Sequence, residues 1–438
     1  MKITFMGAGS SVFVKNIIGD VFLTPALCEA EIALYDIDAK RLGESYDILT
    51  YLNNSINENR ATIKTYHGVE NRGEAVKNAD FIVNAIQVGG YEPCTVIDFE
   101  IPKKYGLRQT IGDTLGIGGI FRGLRTINVM KGFADDIEKY APNALFLNYT
   151  NPMAIITGYM QRYTNVNTIG LCHSVQVCSR NLLQKLGMVD VKDYTEKIAG
   201  INHMAWLLEI KDKNGNDLYP EIKKRAAEKN RNEKHDDMVR FDYIEKLGYY
   251  CTESSEHNAE YNNFYIKPNH PELIEKFNIP LDEYPRRCVK AIEKWAERAD
   301  AAHGKELLEH TKSEEYGSRI MNAIVTDTPY KIGGNVINKG LITNLSREAC
   351  VEVPCLVDGS GISPTVVGNL PPQLAAMNMT NINVQLLTIE AAATKKKEHI
   401  YHAAMLDPVT SSNLTLDEIV KMCDELIEAH ENAGFKII

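Results

Sequence analysis

The sequence predicts an α/β protein: a doubly wound, mostly parallel sheet over residues 1–195, followed by an α+β domain over residues 196–438. Three observations carry this prediction. Short apolar runs alternate with helically spaced segments up to about residue 190. The first run ends in Gly7-Ala8-Gly9 ahead of a helical stretch, and the second ends at Asp36. Beyond residue 190 the alternation fades into mixed segments. At 438 residues the chain has length for two or three domains and a sizeable core.

In chain order, residues 2–6 read as a strand and 11–23 as a helix. Glu31-Ile32-Ala33-Leu34-Tyr35 is a second strand, and 39–55 is helical. Strands are predicted at 61–66 and 81–85, a helix near 121–139, and further strands at 144–148 and 168–171. In the second half, residues 196–211 read as one or two strands around Gly200-Ile201-Asn202. Residues 221–240 carry dense mixed charge and read as a solvated helix or mobile loop. Helical spacing recurs at 286–312, 380–405 and 415–432.

Composition excludes several classes. The 48 Lys+Arg against 58 Asp+Glu give a net charge of −10, with no bulk attraction for nucleic acid. No apolar run approaches the roughly 18 residues of a membrane span, so no membrane partner is expected. The chain runs from Met1 directly into a strand, without the pattern of a signal peptide. Nine cysteines form no CxxC pair, a reduced, cytoplasmic pattern.

The first chemical signal is a dinucleotide fingerprint. Gly7, Gly9, Ser10 and Ser11 lie between a strand and a helix. The first glycine permits a tight turn, and the second lets the backbone approach a pyrophosphate at the helix N-terminus. Val12 replaces the third glycine. Asp36 ends the second strand, where a carboxylate binds ribose hydroxyls and disfavours a 2′-phosphate. NAD is the expected cofactor, on a Rossmann-like domain, and Asp38 is the alternative carboxylate.

The second signal is Cys172-His173 after the strand at 168–171, with Asn202-His203 after the stretch 196–201. Cys172 and His203 could hold a labile divalent cation, Mn²⁺ rather than structural Zn²⁺, with substrate oxygens completing the shell. From spacing alone, coincidence is the stronger reading. His67, His235, His270, His303, His310, His399, His402 and His430 have no comparable context. The third signal is polar density: the glycine-rich stretch from Gly112-Asp113-Thr114 to Gly119, the segment Asn148-Tyr149-Thr150-Asn151-Pro152-Met153, and Glu253 to Tyr261. Asn151-Pro152 could equally cap a helix, and 253–261 could be a polar surface loop.

Taken in order, Gly7-Ala8-Gly9-Ser10, Gly112-Asp113-Thr114 with Gly118-Gly119, Asn148 to Met153, Cys172-His173-Ser174-Val175, Gly200-Ile201-Asn202-His203 and Asn369-Leu370-Pro371 resemble glycoside hydrolase family four over nearly the whole chain. The resemblance implies a fold like that of lactate and malate dehydrogenases. It implies NAD and a divalent metal, with Cys172 and His203 as metal ligands. The reaction it implies is an exception to the two-carboxylate glycosidase scheme. NAD⁺ takes hydride from C3, a base removes the C2 proton, the metal stabilises the enediolate, the C1 oxygen leaves, and water and hydride then return. His173 matches the acid for the leaving group, Asn151 a substrate contact, and Asp113 a residue that raises the basicity of the base. The base falls within 253–261, with Glu253 and His257 as candidates and Tyr261 behind them. Arg287 matches a substrate-binding arginine, with Arg286 as its alternative. The tetrapeptide 172–175 resembles the α-galactosidase members, so an α-galactoside of the melibiose type, unphosphorylated, is the expected substrate. α-Glucosides and α-galacturonides are the alternatives within the family. The C-terminal half is expected to carry catalysis and assembly into a dimer or tetramer. A 2-hydroxy-acid dehydrogenase is an alternative that would need a Gly-His-Gly type histidine and paired substrate arginines, and the His-Gly steps, His67-Gly68 and His303-Gly304, lie outside a suitable context. A non-catalytic nicotinamide-binding sensor is the third reading.

Overall fold

The structure, a computed structural model, describes residues 1–300 and 309–438; the side chains of Ser11 and of residues 294–300 lie outside the description. His303 and the 301–308 part of the expected helix 286–312 also lie outside it.

Six parallel strands build the first half: β1 (Lys2–Met6), β2 (Glu31–Asp36), β3 (Thr62–His67), β4 (Phe81–Asn84), β5 (Leu145–Asn148) and β6 (Thr168–Gly170), in the order β3-β2-β1-β4-β5-β6. This is the Rossmann order with its switch point between β1 and β4. Strand periodicity drives it. Phe81, Val83, Leu145 and Leu147 face one core, while Ile82 and Phe146 face the other. Every residue of β4 and β5 is buried, as a sheet covered on both faces requires.

The covering helices are α1 (Ser11–Phe22), α2 (Ala39–Asn57), α3 (Arg72–Val76), α4 (Val96–Lys104), α5 (Gly116–Tyr140), α6 (Met153–Tyr163) and α7 (His173–Lys185). The glycine-rich stretch is only partly a loop, since Gly116 to Gly119 form the first turn of α5. Asp38 caps α2, accepting from Lys40 and Arg41 N–H.

In the second half β7 (Tyr194–Ile201) and β8 (Met204–Asp212) form a hairpin, followed by β9 (Tyr250–Cys251), β10 (Tyr330–Ile337), β11 (Cys350–Asp358) and β12 (Gly361–Pro364). The charged stretch 221–240 is ordered, as α8 (Tyr219–Asn232) and α9 (Met238–Leu247). Ile222, Ala226, Phe241 and Ile244 bury against the hairpin, which outweighs the mixed charge of the outer faces. Then come α10 (Ser255–Glu260), α11 (Glu272–Lys276), α12 (Glu283–Asp300), α13 (Gly317–Thr326), α14 (Pro372–Thr394), α15 (Lys397–Leu406), α16 (Pro408–Asn413) and α17 (Leu416–Asn432). The two halves share one 12-stranded sheet. β10 joins β6 at Asn335 and Gly170, and β11 joins β7 at Glu352 and Gly200, both antiparallel. The sheet therefore carries the ends of β6 and of the β7–β8 hairpin to one place.

A buried charge cluster fastens the C-terminal helix to the first domain. Arg125 Nη2 lies 2.7 Å from Asp98 Oδ2, and His430 Nε2 lies 2.8 Å from Asp98 Oδ1. The His430 ring stacks on Phe121. Asp98→Asn is expected to cost about 3–5 kcal/mol, because it strands a buried guanidinium. A urea melt reads this, and a loss below about 1 kcal/mol would show that the cluster does not fasten α17. His310 is similarly structural, with Nε2 at 2.9 Å from Asp20 Oδ1 on α1.

Candidate active site

The site lies beyond the carboxyl ends of β1, β2, β5 and β6, where open α/β sheets place their ligands. Gly7 has φ +89°, and a Cβ there would fall 2.9 Å from the Ala85 backbone, so only glycine fits. Gly9 is buried, and a Cβ there would fall 2.9 Å from Asp36 Oδ2, while Ser10, just before α1, is exposed. The backbone of Ser11 opens α1. Asp36 Oδ2 accepts from Gly9 N–H at 2.6 Å and Oδ1 from Asp38 N–H at 2.9 Å. Asp36 thus stands at the glycine turn, whereas Asp38 spends its oxygens on the helix cap.

Cys172 follows β6 as the residue before α7, His203 sits in the β7–β8 turn, and Glu253 follows β9. Their Sγ, ring nitrogen and carboxylate oxygen all lie within 4.8 Å of one another. His203 and Glu253 both adopt left-handed backbone, φ +63° and +64°, a strain that tertiary structure must hold. Burial, together with the carboxylates of Glu352 and Glu253, pushes the Cys172 thiol far above its usual range. Burial works to raise Glu253 as well, but His203, His257 and His173 hold it at about 2, so it is an anion. Three donors of sulfur, nitrogen and oxygen type, one of them ionised and one a costly thiol, form a place for a cation. Glu253, read from the sequence as a candidate base, thus stands with the two residues that could hold a metal ion.

Around this trio lie the remaining groups. Tyr261, fully buried, has its hydroxyl 3.1 Å from His203 Nδ1, and burial and then the Asp113 charge raise it well above its usual range. His257 Nδ1 is 2.7 Å from Ser254 Oγ, and Nε2 is 3.8 Å from Asp113 Oδ1. Burial lowers His257, which keeps the imidazole neutral near pH 7. Asn151 Oδ1 is buried with no partner among the described residues. His173 opens α7 and is exposed. Arg287 is engaged by Glu256 Oε1 at 2.5 Å and Glu283 Oε1 at 3.0 Å, and Arg286 by Glu283 Oε2 at 2.8 Å. The sequence reading missed Arg122. Its buried guanidinium donates to Asn151 O at 3.3 Å and Tyr284 Oη at 3.2 Å. Its position inside α5 carries no motif that could have marked it.

The arrangement joins a glycine turn of the dinucleotide type to three donors that could hold a cation, with a phenol, a neutral imidazole and a carboxylate near them. The model "Family 4 glycosyl hydrolase" matches residues 2–188, and "Family 4 glycosyl hydrolase C-terminal domain" matches residues 198–410. An alpha-galactosidase of Bacillus subtilis (strain 168) is 60% identical over 429 residues, covering 98% of each chain. An alpha-galactosidase of Rhizobium meliloti (strain 1021) is 34% identical, covering 98% of this chain and 88% of its own. The crystal structure of a 6-phospho-alpha-glucosidase from gut microorganisms, in complex with NAD and Mn²⁺, has the same fold, with a TM-score of 0.80 at 22% identity over 99% of each chain.

Proposed function

The chain belongs to glycosyl hydrolase family 4, and from that premise we propose that it is an α-galactosidase that works with NAD and a divalent cation such as Mn²⁺. The observation that carries the substrate class is its likeness, along almost the full length of both chains, to the B. subtilis α-galactosidase. Nine free thiols suit a cytoplasmic enzyme. The exposed Val289 and Ile292 on α12 offer an apolar face for assembly into a dimer or tetramer.

The residues fit both groups. Gly7 and Gly9 keep side-chain atoms out of the turn before α1, where a Cβ at either would clash, and Cys172, His203 and Glu253 supply three donors, a shell that sugar oxygens could complete. When bound, the dinucleotide supplies a hydride acceptor and the cation a Lewis acid. Gly7, Gly9, Ser10 and Ser11 would hold the pyrophosphate, and Asp36 the adenosine ribose. Cys172, His203 and Glu253 would hold the cation. Tyr261 would take the C2 proton: it touches His203, where a neighbouring positive charge favours the phenolate. The neutral His257 imidazole, its ring centre 6.0 Å from that of Tyr261, and the Asp113 carboxylate, 3.8 Å from His257 Nε2, would receive and relay that proton. His173, at the mouth of the site, would protonate the departing oxygen. Asn151, whose Oδ1 has no partner among the described residues, and Arg122 would orient the sugar, while Arg287 would have to exchange a carboxylate for a hydroxyl to do so.

The test is a chromogenic α-galactoside given NAD⁺ and Mn²⁺. Release of the phenol without NADH accumulation is expected, as is cleavage of unphosphorylated melibiose. Faster turnover of an α-glucoside or α-galacturonide would move the substrate assignment. NADH accumulation with a 2-hydroxy acid would replace it by a dehydrogenase, and dinucleotide binding without turnover of any of these would make the protein a sensor. NAD is expected to activate the cofactor-free protein well ahead of NADP, because Asp36 repels a 2′-phosphate. Equal activation by both would take Asp36 out of the ribose site.

A further inference from the structure

Glu260 is a buried carboxylate that the proposed chemistry leaves unused. It ends α10, one residue before Tyr261, and is only 4% exposed. Among the described residues it has no cationic partner within salt-bridge distance. Instead it takes three consecutive backbone N–H groups from a segment 150 positions earlier. Thr110 N–H donates to Oε2 at 2.7 Å, Ile111 N–H to Oε2 at 3.2 Å, and Gly112 N–H to Oε1 at 2.8 Å. Thr110 Oγ1 adds a bond to Glu256 O at 2.7 Å, on the same helix. The curl that aims these amides at one point requires a left-handed residue, and Gly112 has φ +58°. The next residue is Asp113, whose Oδ1 faces His257, also on α10.

We infer that Glu260 is a positioning residue that sets Asp113 against His257 and Tyr261, by gripping the backbone immediately before it from the helix that carries His257. The inference rests on the proposed glycosidase reading for its kinetic arm. The physical basis is that an ionised carboxylate matches three converging N–H donors, each bond charge-assisted. Glutamine has nearly the same shape, but it turns an N–H₂ group toward at least one backbone N–H. One short helix thus places both sides of the Asp113–His257 contact, which ties their separation to the hydrogen bonds of Glu260. Neither half supplies that geometry alone.

The experiment has two arms on the full-length protein. In the first, amide hydrogen exchange is measured at pH 8 without ligands, since burial places Glu260 at about 7 and the carboxylate is largely ionised above that. In the parent protein the amides of Thr110, Ile111 and Gly112 should be protected. In Glu260→Gln they should exchange at least about tenfold faster, while β4 and the middle of α5 keep their protection and so report an intact fold. In the second arm, Glu260→Gln should lower kcat by about 10- to 100-fold with KM within about threefold, and in an Asp113→Asn background it should cost at most about twofold more. Unchanged protection at 110–112, or the same loss of kcat in both backgrounds, overturns the inference. Should Glu260→Gln not fold, Gly112→Ala leaves the carboxylate in place but strains the curl, with a Cβ 3.0 Å from Gln109 Oε1 and 3.1 Å from Phe99. It should give the same kinetic signature, and full activity from it overturns the inference equally. If the parent protein cleaves no α-galactoside, the substrate reading fails while the exchange arm still decides the role of Glu260.

Discussion

Replacing Cys172 by serine is expected to remove nearly all α-galactoside hydrolysis while leaving dinucleotide binding intact. Cys172 is 7% exposed, and its Sγ lies 3.1 Å from Ser174 Oγ, with the Glu253 carboxylate close by. A thiolate in that setting is costly until a cation joins it, so the thiol and the cation stabilise each other. A serine hydroxyl is nearly as small but brings no charge at neutral pH. Losing a Lewis acid at the reacting oxygens costs several kcal/mol of transition-state stabilisation, or about a thousandfold in rate. Dinucleotide affinity, read by calorimetry, should stay within about threefold, because the turn at Gly7–Ser10 and Asp36 is built from other elements. Added Mn²⁺ should protect the parent enzyme from thiol reagents and fail to rescue the serine variant. Full activity of Cys172→Ser after exhaustive chelation would remove the metal from the reading.

The strength of that prediction owes much to what neither half of the chain shows alone. The parallel strands were legible as short continuous apolar runs, which strands buried on both faces require, as Phe81, Ile82 and Val83 show by dividing between two cores, and because Gly7 and Asp36 end two of them. Cys172 and His203 were legible as strand-end residues, and a capping rule would have assigned Asp38 to α2. β10 and β11 were not legible. Gly333 and Gly334 interrupt one, and Pro354, which cannot donate to a ladder, interrupts the other. Yet they are the strands that weld the two halves into one sheet, and without them no periodicity argument brings His203 to Cys172. Glu253 illustrates the same limit. Its side chain offers a base or a ligand with equal chemistry, and only the distance to Cys172 and His203 decides which company it keeps. Glu260 carries no local signal at all, because its partners are backbone amides, and every residue but proline has those.

The result that separates this chemistry most sharply from ordinary glycoside hydrolysis is isotopic. Hydrolysis in heavy water is expected to place deuterium at C2 of the released galactose. Direct displacement at C1, as paired carboxylates perform it, never touches the C2–H bond. An elimination through a C3-oxidised sugar must break that bond, since a ketone at C3 is what makes the C2 proton removable. The site offers what the second route would demand of the protein: a glycine turn that could hold a dinucleotide, three donors that could hold a cation, and a phenol 3.1 Å from one of those donors, His203. Once on Tyr261, a proton can exchange through the neutral His257 imidazole and Asp113 toward solvent before it returns, so the label should enter from the medium. Substrate deuterated at C2 should also turn over more slowly where this cleavage limits the rate. Tyr261→Phe should lower both C2 exchange and hydrolysis by about 10²–10⁴-fold, the usual contribution of a positioned base, with dinucleotide affinity unchanged. Mass spectrometry or proton NMR of the released sugar reads the label. Galactose that keeps ordinary hydrogen at C2 would rule out elimination, and would leave the dinucleotide turn as a site for a bound but chemically idle ligand.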